Sequence, residues 1–589
     1  MISVIHTYNK KFRAFGWIQD SGNLRSLCDV VALFDKESEK HKELVTYTIP
    51  KLIAKENGRD RLVNTLKQDI LKISYLDLVG TSFSPRSASK CNGIIQACVK
   101  GQKRAFILDW PADNFLRWVH SLGFVEYNYS DETFCITKLG LKLSKASVGK
   151  NEELSEEEKS IITDALLAYP PAIRILKLLE TENTHLTKFE IGKQLGFVGD
   201  GGFTSLSQNV LVRELSEMNN PKEKNELKNN WEGSSDKYSR MIAGWLVKLK
   251  LLQKIPKKIK VTIGKKEYSE DIGQSYAITA LGITALHKAE GKSKHRRIPK
   301  NIFWEMFATN GADREYLRTR RAFVLKAISE GSGEISIITV VEYLKNRGID
   351  TDKETVKDDV AGLINIGIDI IISKDNFIYN DKIKDFTIYL PKELVKSELL
   401  SVKDNLRSNM KQLSHEYLSL IDLAYDSKQD RLFEKKTMEL LIDECFYKGI
   451  HLGGSRKPDG VIYTDKLNNN YGVIIDTKAY SKGYSVDIKQ ADEMVRYISE
   501  NKNRDIEINP NKWWNNFSSD IKNYYFMFIA GHFKGSYKNQ LERISKVTKS
   551  NGVAMSVANL LAIADKLKSD SVNHKWIEEN VFMNDTFQI

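Results

Sequence analysis

Residues 451–480 read HLGGSRKPDG VIYTDKLNNN YGVIIDTKAY: Pro458-Asp459 closes a Gly-rich loop, and Asp476-Thr477-Lys478 ends an apolar run from Val473 to Ile475. The run reads as a buried strand. Residues two apart in a strand point to the same side, so Asp476 and Lys478 share one face. Asp459 stands just before a second apolar triplet, Val461 to Tyr463, and meets the other two residues if the triplets pair as a hairpin. Each half alone has an ordinary reading, since Asp beside Pro suits a turn and Asp-x-Lys suits a strand end meeting solvent. Together they read differently. An ionised Asp directly after three aliphatic residues needs a partner, and a cation supplies one. Two acids and a lysine are the parts of a metal-dependent phosphodiesterase, with Asp459, Asp476 and Lys478 as catalytic residues and the two acids as metal ligands. Carboxylate oxygens suit Mg2+, which takes one or two acids and completes its shell with water and substrate phosphate. The ion is expected to acidify a water and neutralise phosphate charge, while Lys478 orients that water or offsets the charge.

The chain has 589 residues, 41% hydrophobic and 10% aromatic, enough for several cores and, by length, roughly four domains. Its net charge is +12, with a pI near 9.0. That balance favours a polyanionic partner such as nucleic acid, with a merely basic solvated surface as the alternative. The opening MISVIHTYNK has no apolar signal core and no apolar run approaches eighteen residues, so a cytoplasmic protein without membrane insertion is expected. Five cysteines, Cys28, Cys91, Cys98, Cys135 and Cys445, lack paired spacing and speak against a disulfide framework or a zinc site.

A repeat runs through the first two thirds. FLRWVHSLGFVEY and then FCITKLGLKLS place Trp118 on a helix and Ile136 to Gly140 at a strand-to-helix turn; WLVKLKLLQKI and YAITALGITALHK do the same with Trp245 and Ile278 to Gly282. A looser third copy spans Gly362 to Asn380. A helix followed by two strands is the wing of a winged helix-turn-helix. The preceding helices are also legible: Thr187 and Glu190 stand in a capping-box relation, and Ile335 to Ile349 is the counterpart in the third copy. Composition shifts at Ala146 to Glu158, at the basic run Lys292 to Arg297, and near Pro391. The expected architecture is multidomain: winged-helix subdomains at 1–145, 159–291 and 298–386, a linker at 387–393, and an α/β nuclease domain at 394–589. The three subdomains are mostly α, and the third is expected to serve mainly protein contacts. Within the last domain, LVKSELLSVKDNLRSNMKQLSHEYLSLIDLA and DRLFEKKTMELLIDECFYKG read as long amphipathic helices.

The runs RAFGWIQ, DNFLRWVHSLGF, YPPAIRIL, LTKFEIGKQLGF, NNWEGSSDKY, GIHLGGSRKPDG, DTKAYSKGY, QADEM and GHFKG, spread over essentially the whole chain, resemble the FokI-type type IIS restriction endonucleases. The resemblance implies winged-helix recognition subdomains, a separate PD-(D/E)xK nuclease domain that depends on Mg2+, and cleavage of both DNA strands at a fixed distance to one side of an asymmetric site, GGATG in that family. It implies DNA contacts at Gln19, Arg86, Trp110, Asn229, Glu232 and Lys237. These types are chemically apt, since Arg or Lys suits guanine, Asn or Gln suits adenine, and Glu accepts from cytosine N4. Trp110 also fits a packing role, and Glu232 a helix cap. The family pattern has Asn after Gln19, where this chain has Asp20, which puts one contact in doubt.

The resemblance also implies a transient homodimer through the nuclease domain, with Asp492 and Arg496 crossing a two-fold axis. Four apart on a helix, the two also suit an intrahelical ion pair. A site of this size hydrolyses one strand, so a second copy is needed for two. A cognate DNA methyltransferase is expected as a separate protein in a bacterial host. The resemblance further suggests that the linker lets the nuclease pack against the recognition part until DNA is bound. His451 and His532 flank the motif as lower-ranked candidate bases, and Glu439 is a candidate outer ligand by position. Two rival classes fit part of the pattern: a winged-helix DNA-binding regulator with a vestigial nuclease domain, and a structure-specific repair nuclease.

Overall fold

The Ile-Thr-x-Leu-Gly repeat folds the same way twice. Thr137 Oγ1 accepts the Gly140 N–H at 3.1 Å and starts the helix Lys138–Ala146; Thr279 Oγ1 accepts the Gly282 N–H at 3.0 Å and starts Ala280–Ala289. A Cβ on Gly140 would lie 2.1 Å from the Phe124 carbonyl oxygen, and one on Gly282 2.1 Å from that of Leu251. Glycine is what lets each helix start abut the end of the Trp-led helix before it. The tryptophans of those helices, Trp118 and Trp245, are fully buried and stack on each other with centroids 4.6 Å apart.

The computed structural model describes residues 2–6, 13, 15–83, 85, 90–147, 153–182, 185–216, 218–263, 266–292, 294–331, 333–466 and 469–588. They form two compact units. The first comprises Met1–Phe197, Lys237–Ile255 and Gln274–Val395; the second comprises Val198–Asp236, Pro256–Gly273 and Lys396–Ile589. The segments Val198–Asp236 and Pro256–Gly273, read from sequence as parts of the second module, thus cluster with the C-terminal residues.

Three three-stranded sheets share one order, with a short leading strand beside the returning wing strand: Ile73–Ser74, Thr133–Ile136, Val125–Asn128; Leu186–Thr187, Lys266–Ile278, Leu252–Ile263; and Glu334–Ser336, Asn376–Tyr379, Ile370–Ser373. The last residue of each leading strand caps the next helix. Ser74 caps Tyr75–Val79, Thr187 caps Lys188–Gly192 in a full capping box with Glu190, and Ser336 caps Ile337–Lys345. Strand order and caps together are the winged helix-turn-helix, three times over.

The C-terminal unit is built on a five-stranded mixed sheet in the order Lys448–His451, Gly460–Lys466, Asn469–Lys478, Asn523–Ala530, Gly552–Ser556. The first three strands are antiparallel neighbours and the last two are added in parallel. Alternation along the central strand sends Val473 and Ile475 into one core with Phe433, Met438 and Leu561, and Ile474 into the other with Met494, Leu541 and Phe528. One long helix expected from sequence is broken. Glu398–Asn409 stops because Asp565 Oδ1 collects the N–H groups of Lys411, Gln412 and Leu413 at 3.0, 2.8 and 2.8 Å, and the chain resumes as short turns from His415. The second, Asp430–Glu439, widens into a π turn at Leu440–Glu444.

Candidate active site

Pairing of Gly460 with Ile475 and of Val461 with Ile474 brings Asp459 opposite Asp476 at the end of the hairpin. Asp459 Oδ2 accepts the Thr477 N–H at 2.6 Å and the Thr477 hydroxyl at 2.9 Å. Lys478 Nζ donates to Asp476 Oδ1 at 2.7 Å. The three residues named from spacing are therefore one cluster.

Burial dominates its electrostatics. Asp459 is pushed up to about 7, by burial first and then by the charges of Asp476 and Glu434. Asp476, 8% exposed, is also raised by burial, with Lys478 opposing. Burial pulls Lys478 down, but Asp476 and Asp459 outweigh it and the ammonium is stabilised. Two carboxylates that resist ionising together form a site that a divalent cation would relieve. Among the described residues no cluster of three or more His, Cys, Asp or Glu is arranged for a metal. The two carboxylates of Asp459 and Asp476 fit Mg2+, which needs only one or two protein acids. Sequence reasoning missed Glu434 and Glu493, whose charges act on Asp476, and Thr477, which fixes Asp459. Thr477 was legible in principle as the residue between the catalytic pair.

Three lower-ranked candidates are spent elsewhere. Glu439 is a correction: fully buried, it accepts from Lys436 at 2.7 Å, the Ser207 N–H at 2.8 Å and the Tyr417 hydroxyl at 3.2 Å, a structural network rather than an outer metal shell. His451 lies 3.3 Å from Glu434 and 3.8 Å from Glu214. His532 Nδ1 meets the Tyr425 hydroxyl at 3.0 Å. The intrahelical pair of Asp492 and Arg496 does not form; Asp492 is 2.5 Å from Arg543, and Arg496 is 3.1 Å from Glu493.

The residues named for DNA contact stand as follows. In the first unit, Gln19 is half-buried with its N–H on Asn114 Oδ1 at 3.1 Å, and Asp20 is exposed. Trp110 is 43% exposed, too open for a core role, with the Arg117 guanidinium 5.8 Å from its ring centroid. Lys237, half-buried, is near the start of the helix Ser234–Lys248. Arg86 lies outside the described residues. In the second unit, Asn229 is exposed near the end of the helix Pro221–Asn230 and Glu232 is half-buried. Between them, Trp231 is fully buried, its ring 4.9 Å from Lys435 Nζ and 6.4 Å from the His451 ring. The segment Val198–Asp236 is bonded to the nuclease helix at several further points: Lys435 Nζ to the Asn230 carbonyl at 2.9 Å, Lys436 Nζ to that of Ser205 at 3.1 Å, and Arg213 to Asp443 at 3.3 Å.

A sheet carrying two acids and a lysine, in a chain that also holds three winged-helix modules, defines a DNA endonuclease with separate reading and cutting parts. Comparison with known proteins carries this further. Family models match residues 13–146 (FokI, recognition domain, subdomain 1), 158–294 (recognition domain, subdomain 2), 307–375 (D3 domain) and 396–588 (cleavage domain). The type II restriction enzyme FokI of Planomicrobium okeanokoites is 45% identical over 568 residues, covering 95% of this chain and 97% of its own. The type II restriction enzyme StsI of Streptococcus sanguinis is 31% identical over 582 residues, covering 96% and 95%. The solved structures of FokI and of FokI bound to DNA match with TM-scores of 0.88 and 0.89, each at 43% identity over 98% of this chain and 100% of theirs. The chain belongs to the FokI family of restriction endonucleases. Neither the regulator nor the repair-nuclease reading is favoured by these likenesses. Among the described residues no helix is long and apolar enough to cross a membrane.

Proposed function

We propose that this type IIS endonuclease binds one short asymmetric duplex sequence through its winged-helix modules and, with Mg2+, hydrolyses both strands at a fixed distance to one side. The observation that carries the reading is the meeting of Asp459, Asp476 and Lys478 on one hairpin of a domain distinct in sequence from the modules. Asp459 and Asp476 would hold the ion, which supplies Lewis acidity at the phosphate and at the attacking water. Thr477 keeps one Asp459 oxygen engaged, which would leave the other available to the ion. Because its raised pKa keeps Lys478 protonated, it acts as a donor that orients the water or offsets phosphate charge, and not as the base. Water attacks phosphorus and gives up one proton to solvent, one P–O bond breaks, and the leaving oxygen takes up one proton from solvent.

For reading, Arg86 and Lys237 are assigned to guanine, Gln19 and Asn229 to adenine, Glu232 to cytosine N4, and Trp110 to an apolar or stacking contact. The proposed target is GGATG, with Asp20 bearing on one base. Cutting both strands is assigned to a transient dimer through Asp492 and Arg496 of two nuclease domains, and host protection to a separate methyltransferase in the bacterial cytoplasm. The test is footprinting on random linear duplex with chelator present, followed by addition of Mg2+. One short protected sequence, then cleavage only after the ion is restored, supports the reading; protection of branched DNA alone, or cleavage without a divalent ion, sinks it.

A further inference from the structure

The two catalytic carboxylates are held unequally. Asp459 has two donors from Thr477, whereas Asp476 accepts from Lys478 at one oxygen and from no other described residue. Ligating carboxylates in metal sites are normally hydrogen-bonded in turn, which fixes their direction. Lys478 is the one described donor to Asp476, so any turn of its ammonium fully toward a reacting phosphate leaves that carboxylate without a donor.

A spare donor stands on the same face of the sheet. Phe528 is the register partner of Asp476 in the neighbouring strand, and the Tyr484 ring packs on Phe528 with centroids 6.1 Å apart. Tyr484 is 2% exposed, enclosed further by Phe533 at 5.8 Å and Tyr480 at 5.7 Å, and its backbone N–H is fixed on the His532 carbonyl at 2.9 Å. Yet its hydroxyl has no hydrogen-bond partner among the described residues. Leaving a buried hydroxyl unpaired is destabilising, so its retention calls for a reason. Burial, and after it the charge of Asp476, pushes the phenol pKa up, so the group stays a proton donor.

We propose that Tyr484 is a positioning residue: when Lys478 turns toward the reacting phosphate, the Tyr484 O–H donates to the Asp476 carboxylate in its place. The motion exchanges one hydrogen bond for another and leaves all protons on their original atoms. The inference rests on the metal-assisted reading of the hairpin.

Tyr484→Phe keeps the ring and removes the unpaired hydroxyl, and the full-length chain is the protein to test. Expected are a melting temperature without metal that is unchanged or higher, unchanged DNA affinity, and a ten- to hundredfold loss in both single-turnover cleavage and Mn2+ affinity of the DNA complex read by electron paramagnetic resonance. Cleavage and Mn2+ affinity equal to wild type would overturn the proposal. So would a lowered melting temperature without metal, which would make the hydroxyl a structural group. If wild type itself cleaves without a divalent ion, the underlying metal reading fails too, and that outcome is seen in the wild-type control alone.

Discussion

The Asp492 carboxylate is held by Arg543 of its own chain at 2.5 Å, and not by Arg496 one helical turn away. Arg496 turns instead to Glu493 at 3.1 Å and Glu500 at 3.8 Å. Both members of the Asp492 pair are about half exposed, and such pairs are weak, so in the proposed dimer an arginine from a second copy would displace Arg543 at small cost. Asp492→Ala and Arg496→Ala are therefore expected to leave one-strand hydrolysis intact and let nicked plasmid accumulate, with a milder effect for Arg543→Ala. The ratio of nicked to linear product across enzyme concentrations measures this; wild-type ratios would remove this helix from the contact between copies.

Asp459→Ala and Asp476→Ala should each lower single-turnover cleavage by about three orders of magnitude or more, on the scale of several kcal/mol of lost charge stabilisation. DNA affinity should stay near wild type, because neither residue lies in the modules. A gel-shift assay beside the cleavage assay separates the two effects, and loss of binding in step with cleavage would argue against separate parts.

Thr477→Val removes the hydroxyl bond to Asp459 and keeps the backbone one. About a tenfold fall in cleavage is expected, with a higher Mg2+ concentration needed for half-maximal rate. A rate equal to wild type at every Mg2+ concentration would mean that the backbone N–H alone fixes Asp459.

The strand pair 460–478 was legible because its alternation is local and its acids sit where the apolar pattern stops. The caps at Thr187, Thr137 and Thr279 were legible for the same reason: a cap and its target are three residues apart. What the sequence hid depends on contacts between distant residues. Nothing near Asn409 says that Asp565 will end the helix there, and nothing near Glu439 says that Lys436, Ser207 and Tyr417 will use up its oxygens. The placement of Val198–Asp236 with the nuclease residues and the Tyr484 hydroxyl, without a partner among the described residues, are equally matters of packing.

The contact of Val198–Asp236 with the nuclease helix should loosen as pH rises. Burial pushes Glu214 up to about 7 from 4.5, with His451 and Lys435 opposing. Burial lowers His451, but Glu434 and Glu214 outweigh it and raise it above 6.5, with Lys435 again opposing. Both groups bind their protons more tightly in the folded chain. The Glu214 contribution is full below 4.5 and fades toward about 7, and that of His451 is full below 6.5 and is lost as pH climbs through its raised value. Hydrogen-exchange protection in residues 198–236, taken relative to the intrinsic base-catalysed rate, should fall between pH 6 and pH 8, roughly the span of these titrations, with Glu214→Gln flattening most of the slope. Protection that is flat with pH in wild type would show that these groups do not govern the contact.

The most direct test of a reading part joined to a cutting part is digestion of a plasmid library by the purified protein with Mg2+, beside Asp476→Ala, with the ends sequenced. Cuts at a constant offset from one asymmetric motif, absent in the variant, are the expected result. Ends scattered without a motif, or cuts that persist in Asp476→Ala, would contradict it.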